Sequence, residues 1–196
     1  MMAPPEPTPY RPDSYDDRRR RTLGWVEHRL NSVVLAADVL VHWKSWKAIP
    51  RATIRFNHHT AFTGDATALT RGALEIGLIH SRALLEFLGL KGEDEWSLKE
   101  RKGKRPDDRV IEDIAGLHKC VVANLPDDCE PSFAHVIHMT DKQLAHITSR
   151  FIPHEDRAQF IETTFRELPK LVWQKVYVPL GRPPPEFPFT YSRKRA

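Results

Sequence analysis

The segment "ATALTRGALEIGLIHSRALLEFLGL", residues 66–90, decides the fold. Wound as a helix at ~100° per residue, it carries leucines on one side and Ile76, Ala83 and Phe87 on the opposite side. Its polar residues are confined to a narrow stripe between these two apolar sides. A helix that is apolar nearly all round is packed on several sides. We therefore predict that this segment is the central helix of the protein.

The polar stripe of this segment consists of Glu75, Arg82 and Glu86. Arg82 and Glu86 are spaced i,i+4, so they can pair with each other on one helix face. Charged groups on so apolar a helix lie either at a seam open to water or in a buried polar network. We expect the two glutamates to pair with Lys142 and Arg150, so that two helices enclose one polar cleft.

The later segment "DKQLAHITSR", residues 141–150, supplies the other wall of that cleft. Lys142, His146 and Arg150 are spaced four residues apart and stack along one side of a helix. An imidazole with a pKa of about 6.5 can take a proton from a ribose 2′-hydroxyl and return one to a leaving oxygen. Neighbouring cations stabilise the added charge on the phosphorane. The pattern indicates metal-independent RNA cleavage, in which His146 is the acid/base and Arg82, Lys142 and Arg150 hold phosphate.

Other interpretations of these polar residues stay open. Lys142, His146 and Arg150 also fit the water-facing side of any surface helix. Arg82 can simply satisfy its i,i+4 partner. His80 lies alone on an apolar flank, where a packed core histidine and a residue that binds or orients a ligand both fit the pattern.

Amphipathic patterns predict four further helices around the central one. The first begins at Asp16 and Asp17, where acidic side chains suit the positive end of the helix dipole, and it ends before Pro50. The third helix spans residues 110–125, and the fourth spans residues 140–151. The last begins near residue 153, and Pro169 must kink or restart it because a proline ring cannot continue an unbroken ladder.

The remaining segments are predicted to connect these helices or to flank them. Residues 50–65 form either an irregular connection or a short helix, and residues 91–108 form a charged loop in solvent. Strands are disfavoured because sustained alternation with a period of two is scarce. The prediction is an all-α fold, a bundle of about five helices in one domain, residues 15–178. Residues 1–14 are a disordered proline-rich segment, and residues 179–196 are a proline-rich basic tail.

The composition is that of a soluble protein with a mild basic bias. Of the 196 residues, 40% are hydrophobic and 29% are charged, and the formal net charge is +4. This bias is compatible with RNA as a polyanionic partner. The two cysteines, Cys120 and Cys129, form no CxxC motif, and no secretory leader or long apolar stretch occurs in the sequence. These features favour a reducing cytoplasm and no membrane contact, with Cys120 as a small core residue.

Histidines, a residue type that binds metals, occur close together in two places. His135 and His138 lie close to Asp141, and His58 is followed by His59. Zinc or manganese needs three or four converging ligands, a geometry that these spacings do not enforce. The sequence lacks an HExxH motif and a cysteine cluster, so no metal site is predicted. It also lacks the GxGxxG and GxxxxGK[ST] loops, so no nucleotide cofactor or other cofactor is expected.

Three blocks of the sequence resemble a group of small, uncharacterised bacterial helical proteins. The blocks are "HSRALLEFLG" at residues 80–89, "RPDD" at residues 105–108 and "DKQLAHITSRF" at residues 141–151. They resemble, in the same order, patterns that read approximately H-A-R-x-L-x-x-F-x, D-D-V and K-x-L-A-H-L-T-x-x-R. The last block is the most specific of the three. No established activity accompanies this resemblance.

The overall design also resembles the HEPN superfamily, helical bundles of toxin–antitoxin and RNA-defence systems, several of which cut RNA as dimers. The motif of that superfamily is an arginine followed a few residues later by a histidine. In the late block the order is reversed, with His146 before Arg150, and the forward order occurs early in the chain, after Arg21 and after Arg51. The resemblance implies a HEPN-like fold, RNA as substrate, and a homodimer or a partner protein.

Two functional hypotheses follow from these residues. In the first, a cytoplasmic HEPN-like domain binds RNA or a partner protein and cleaves RNA without a metal. His146 is then the acid/base, Glu86 orients one of the phosphate-holding cations, and His80 belongs to the binding surface. In the second, the chain is a non-catalytic interaction module. The same residues then form an intramolecular network between two helices.

Overall fold

A computed structural model of the chain describes residues 14–105, 108–142, 155–183 and 185, without the side chains of residues 142, 155 and 156. Residues 1–13 of the predicted disordered segment and most of the predicted tail lie outside these residues. Within them the protein is mostly helical, and two small antiparallel hairpins correct the prediction of an all-α fold. In chain order the elements are α1 (Tyr15–Ser45), β1 (Arg51–Phe56), β2 (His59–Asp65), α2 (Ala66–Phe87), β3 (Leu90–Gly92), β4 (Leu98–Glu100), α3 (Cys129–Lys142) and α4 (Glu155–Val172).

α1 and α2 form an antiparallel pair. Trp25 of α1 packs against Phe87 of α2, with 5.7 Å between ring centroids, and Ala36 lies opposite Gly77. At that crossing a Cβ atom on Gly77 would overlap the Cβ atom of Ala36 and lie 3.1 Å from Cζ of Phe165 in α4. Glycine at this position therefore allows three helices to meet at one point.

Both long helices begin at side-chain caps. The Ser14 hydroxyl oxygen accepts the backbone N–H of Asp17 at 3.2 Å, and Asp65 Oδ1 accepts that of Thr67 at 2.6 Å. Such caps satisfy donors that the first helical turn leaves without intrahelical partners. α1 and α2 confirm the first two predicted helices.

The β1–β2 hairpin takes the place of the irregular connection or short helix predicted after α1. Its strands pair from Arg51 with Asp65 to Phe56 with His59. The turn contains Asn57, whose φ of 55° lies in the left-handed region that asparagine tolerates. The strands are short and mostly exposed, so the sequence contains little apolar alternation that would reveal them.

A second hairpin, β3–β4, lies in the charged segment predicted as a solvent loop. Leu90 and Leu98 are buried and attach its two strands to the core. Asp94 Oδ1 holds the turn by accepting the backbone N–H groups of Trp96 and Ser97 at 2.7 and 2.8 Å. The hairpin gives this charged segment a defined position beside α2 and α3.

Residues 110–125 are irregular, which corrects the predicted third helix. Val110, Ile114 and Leu117 are buried, as the apolar spacing requires, but helical order is limited to two short 3₁₀ turns. Gly116, with a φ of 84°, interrupts any continuous helix here. The spacing identified three of the buried side chains correctly, but it was wrong about Val121, which is exposed, and about the backbone.

Several backbone N–H groups of this segment bind acceptors that lie far away in the sequence. The N–H of Ala115 donates to Tyr15 Oη at 2.6 Å. The N–H of Cys120 donates to the carbonyl oxygen of Leu88 at 2.8 Å, and that of Val122 donates to Glu100 Oε1 at 3.0 Å. These bonds replace part of the ladder that a helix would have formed. The segment therefore takes its shape from α1, the end of α2 and β4.

α3 and α4 form a second antiparallel pair. The Thr164 hydroxyl donates to the carbonyl oxygen of Ser132 at 3.0 Å, and the rings of His135 and Phe160 lie 5.3 Å apart. α3 begins earlier than the predicted start of the fourth helix. Residues 143–151 of that predicted helix lie outside the described residues.

α4 confirms the predicted last helix. The helix does not restart at Pro169, which lies inside it, and continues to Val172 before a π turn, Trp173–Tyr177. In this turn the N–H of Val178 donates to the carbonyl oxygen of Trp173 at 3.0 Å. A proline has no N–H and so removes one hydrogen bond of the helix. The π turn, which is wider than an α-helical turn, comes directly after the helix that contains Pro169.

One apolar core cluster joins residues from all four helices. Its fully buried aromatic side chains include Phe87, Phe133 and Phe165. Cys120 and Cys129 are buried and free, which confirms Cys120 as a core residue. Burial raises the pKa of the Cys120 thiol to about 11. None of the helices in the described part of the chain is long and apolar enough to span a bilayer.

We expect Gly77→Ala to lower the free energy of unfolding by about 1–3 kcal/mol, because the added methyl group overpacks the three-helix crossing. Urea denaturation measures this loss. The matched control is Gly72→Ala in the same helix, where an added Cβ meets no described atom within 4 Å. That control should stabilise the protein by about 0.5–1 kcal/mol, since alanine favours a helix over glycine.

The companion change Ala36→Gly should recover part of the stability lost in Gly77→Ala, because it removes the methyl group that the new side chain meets. Equal stabilisation by Gly77→Ala and Gly72→Ala would contradict the tight crossing.

Candidate functional site

An open groove of about 820 Å³ lies between α2, the β3–β4 hairpin with the chain that follows it, and the end of α3. Charged side chains dominate its lining, seven of them basic and five acidic. We call it the basic groove. Its basic residues are Arg82, Lys91, Lys99, Arg101, Lys102, Lys104 and Arg105.

Arg82 joins α2 to α3 within the basic groove. Its Nε lies 2.9 Å from Glu86 Oε1, and its Nη1 lies 2.5 Å from Asp141 Oδ1. The predicted i,i+4 pair is therefore present, and a residue of the quoted late segment does reach α2. That residue is an aspartate, which the sequence did not single out as a partner. The cations expected there, the Lys142 side chain and Arg150, lie outside the described residues.

Further ion pairs neutralise part of the charge along the groove. Arg101 pairs with Asp108, and Lys104 Nζ lies 2.5 Å from Asp113 Oδ1. Asp108 also accepts the backbone N–H of Arg105 at 2.8 Å. That hydrogen bond, followed by the charge of Arg101, holds the pKa of the Asp108 carboxyl below its usual range. These carboxylates are therefore ionised and occupied by their partners at neutral pH.

Three basic residues of the groove make no ion pair with any described side chain: Lys91, Lys102 and Arg105. All three are exposed. Lys99, by contrast, lies 3.7 Å from Glu93. The groove thus contains three positive charges that are available to a bound anion.

His146 and Arg150, the predicted acid/base and one predicted phosphate ligand, lie outside the described residues. The end of α3 nevertheless reaches the basic groove, because Asp141 lines it. Residues 143–150 therefore follow in the chain directly from the wall of the groove.

His80 lies at the contact between α1 and α2 and does not line the basic groove. Its Nδ1 is 2.6 Å from a guanidinium nitrogen of Arg29, and its ring packs edge-on against His28 at 5.4 Å. Since a guanidinium only donates, Nδ1 accepts and the proton of the neutral ring sits on Nε2. Burial, followed by the charge of Arg29, lowers the pKa of His80 to about 4. His80 is therefore neutral at physiological pH.

His135 is fully buried and packs against two aromatic rings, which also contact each other. Trp96 stacks on it at 5.6 Å, and Phe160 packs against it from α4. His135 Nδ1 is 3.3 Å from Glu95 Oε1, and neither ring nitrogen finds a hydrogen-bond partner in the described part of the chain. Burial lowers the pKa of His135, although Glu95 opposes this shift. The sequence shows no signal for this contact, because Glu95 and His135 lie far apart in the chain.

The metal candidates are not brought together into a coordination site. No group of three or more histidine, cysteine, aspartate or glutamate side chains that could hold a metal ion exists among the described residues. His138 and Asp141 lie on α3 with the buried His135, whereas His58 and His59 lie exposed at the β1–β2 hairpin.

Comparison with known proteins adds no relative: no family model, no curated protein and no solved structure matches this chain. The chemistry of the basic groove is therefore inferred from its own residues.

Replacing His135 by phenylalanine should reduce the dependence of stability on pH. A histidine binds its proton in the unfolded chain near a pKa of about 6.5, whereas the folded pKa of His135 is lower. The unfolded state then holds the extra proton, so the free energy of unfolding falls as the pH drops below about 6.5. We expect a smaller fall in His135→Phe, measured by urea denaturation at neutral and mildly acidic pH.

His118→Gln, which replaces an exposed histidine, is the control and should fall as steeply as the parent protein. An unchanged fall in His135→Phe would show that another group carries the acid sensitivity.

Proposed function

We propose that this chain is a HEPN-like helical domain that binds RNA along the basic groove. The observation that carries the proposal is the set of unpaired cations Lys91, Lys102 and Arg105 on one open surface. Neutralisation of phosphates by lysine and arginine supplies much of the affinity for nucleic acid. The positive net charge of the whole chain, +4, supports the same partner.

The lining of the groove favours a polyanion over a small apolar ligand. Sites for small molecules are mostly apolar with a few polar groups. Among the described lining residues, Ile137 alone has an apolar side chain, Gly103 has no side chain, and the rest are charged. A backbone of repeated phosphates matches this composition.

The HEPN-like part of the proposal is supported by the helix arrangement. The four helices form two antiparallel pairs, α1 with α2 and α3 with α4. The first block lies on α2 and the late block begins at the end of α3, and Arg82 and Asp141 connect the two.

We further propose that residues after α3 make the groove a site of metal-independent RNA cleavage. His146 would take the proton of a ribose 2′-hydroxyl, whose oxygen attacks the adjacent phosphorus, and would return a proton to the leaving 5′-oxygen. Lys142 and Arg150 would stabilise the extra negative charge of the phosphorane. Glu86 would orient Arg82, which lies 2.9 Å away, toward the same phosphate.

The second candidate function is a non-catalytic interaction module, and one observation favours it. Arg82 is already bound by two carboxylates, Glu86 and Asp141, and this network ties α2 to α3. An arginine held in this way contributes to the arrangement of helices rather than to ligand binding. The protein partner of such a module would then use another surface.

Loss of the three unpaired cations should weaken RNA binding. In the variant Lys91→Gln/Lys102→Gln/Arg105→Gln we expect lower affinity for single-stranded RNA at every salt concentration, measured by fluorescence anisotropy. The slope of log K against log salt should become shallower by about 2, since each single-strand phosphate contact contributes about 0.7.

The matched control removes the same charge from exposed basic residues that pair with glutamates outside the groove, Lys44→Gln/Arg166→Gln/Lys170→Gln. An equal loss of affinity in both variants would show that net charge alone explains the RNA binding, and it would contradict binding along the basic groove.

His146→Ala distinguishes the enzyme from the module. If His146 is the acid/base, the fold survives and cleavage of mixed RNA stops, and the parent protein cleaves equally well with a chelator present. If His146 belongs to an intramolecular network, the free energy of unfolding falls by about 1–3 kcal/mol, because a buried partner is left unsatisfied. Gel assays of RNA and urea denaturation of both proteins measure the two outcomes.

Cleavage that a chelator abolishes would contradict the metal-independent mechanism. Absence of cleavage by the parent protein would shift the assignment to RNA binding alone or to the interaction module.

A further inference from the structure

The β1–β2 hairpin lies outside the core of the protein. None of the residues in its two strands is buried, and the apolar core cluster contains no residue of either strand. Phe56, which lies beside the turn, is 69% exposed. A hairpin that does not take part in the core is free to contact another molecule. We call its residues, 51–65, the basic arm.

The basic arm has one polar face and one apolar face. Residues that lie opposite each other in the two strands share a face, and Thr53 lies opposite Thr63 with 3.4 Å between the hydroxyl oxygens. On the apolar face Ile54 lies opposite Phe62, and both are half-buried. The polar face is therefore the one that is open to a partner. Its exposed side chains include Arg51, Thr53, Arg55, Thr60 and Thr63.

The basic arm and the chain that leads into it contain no acidic residue from position 39 to position 64. The whole chain has 26 acidic residues among 196, so this stretch is unusually basic. Lys44 pairs with Glu162 of α4, whereas Lys47, Arg51 and Arg55 make no ion pair with any side chain in the described ranges. Asp65, opposite Arg51, already caps α2. The arm thus offers three positive charges to an anionic partner.

We propose that the basic arm binds duplex DNA by lying in its major groove, with the polar face toward the base edges. Two paired strands are ~4.8 Å apart, and the major groove of B-form DNA, which is ~12 Å wide, admits such a two-stranded ribbon. The major groove of A-form RNA is deep and narrow, and side chains do not reach its base edges. The shape of the arm therefore selects duplex DNA over duplex RNA.

The side chains of the polar face match the groups that the major groove presents. An arginine donates two parallel hydrogen bonds to O6 and N7 of guanine, and a threonine hydroxyl can donate or accept at any base pair. Arg51 and Arg55 lie about 13 Å apart along β1. This distance corresponds to about four base pairs at ~3.4 Å each. The two arginines can therefore contact two separate base pairs of one short site, while Lys47 neutralises a phosphate beside it.

The basic arm and the basic groove lie at opposite ends of α2. β2 leads directly into the first turn of α2, whereas the groove is lined by Arg82 and Glu86 near the other end. At 1.5 Å per helical residue, positions 65 and 82 are about 25 Å apart. DNA on the arm leaves the groove open, so this inference and the proposed RNA binding succeed or fail independently.

Binding of the full chain to random-sequence duplex DNA, followed by selection of the preferred site, tests the inference. We expect Arg51→Gln/Arg55→Gln to lower the affinity for the selected duplex by about tenfold or more and to weaken the preference for its sequence, because contacts to base edges are lost. Lys47→Gln should leave the sequence preference intact and reduce the slope of log K against log salt by about 1, because one phosphate contact is lost. Fluorescence anisotropy measures both changes.

The matched control for the double arginine variant is Arg166→Gln/Lys170→Gln, which removes the same charge from exposed residues of α4 and should keep the parent affinity. The triple basic-groove variant should also keep its affinity for DNA, and the double arginine variant should keep its affinity for single-stranded RNA. A duplex whose cytosines carry bulky groups at C5 should bind more weakly, because these groups fill the major groove. Circular dichroism must show the same helix content in every variant.

Four results would overturn the inference. They are a parent protein that does not bind duplex DNA, an equal loss of affinity in the α4 control, competition by duplex RNA as effective as that by duplex DNA, and binding that the C5 groups leave unchanged. The first of these results would leave the basic groove and its RNA untouched.

Discussion

The close approach of α1 and α2 at Ala36 and Gly77 is the contact on which the rest of the structure depends. Without a side chain at position 77, α1 can touch the backbone of α2, and the ring of Phe165 fits against the same point from α4. This crossing sets the rotation of α2 about its axis. One face of α2 then enters the core, a second places Arg82 in the basic groove, and a third remains exposed with Ile76.

The charge of the basic groove depends on which of its cations are paired with carboxylates. Carboxylates neutralise Arg82, Arg101 and Lys104, and these pairs fix the walls of the groove. The remaining cations, Lys91 and Lys102 among them, come from the β3–β4 hairpin and the chain that follows it. The groove therefore combines a wall on α2 and α3, joined through Arg82 and Asp141, with unpaired positive charges on β3 and on the chain that follows β4.

Sequence periodicity predicted α1, α2 and α4 because long amphipathic patterns report one face of a helix directly. It failed at residues 110–125, where the apolar spacing reports burial for only part of the predicted stripe. The backbone there is set by Gly116, with its positive φ, and by hydrogen bonds to remote acceptors. The Arg82–Glu86 pair was predictable because both residues lie on one helix. The partnership of Arg82 with Asp141, and that of His135 with Glu95, depends on how distant segments pack, which the spacing of residues along the chain does not contain.

The irregular segment at residues 110–125 has a consequence for the order of folding. Its N–H groups depend on Tyr15, Leu88 and Glu100, which belong to three separate parts of the chain. Non-local contacts form only after the entropy of loop closure has been overcome. We therefore expect this segment to order after the helices and the hairpin have docked. Its buried side chains, among them Ile111 and Ile114, then complete the core, so the segment and the helices form one cooperative unit.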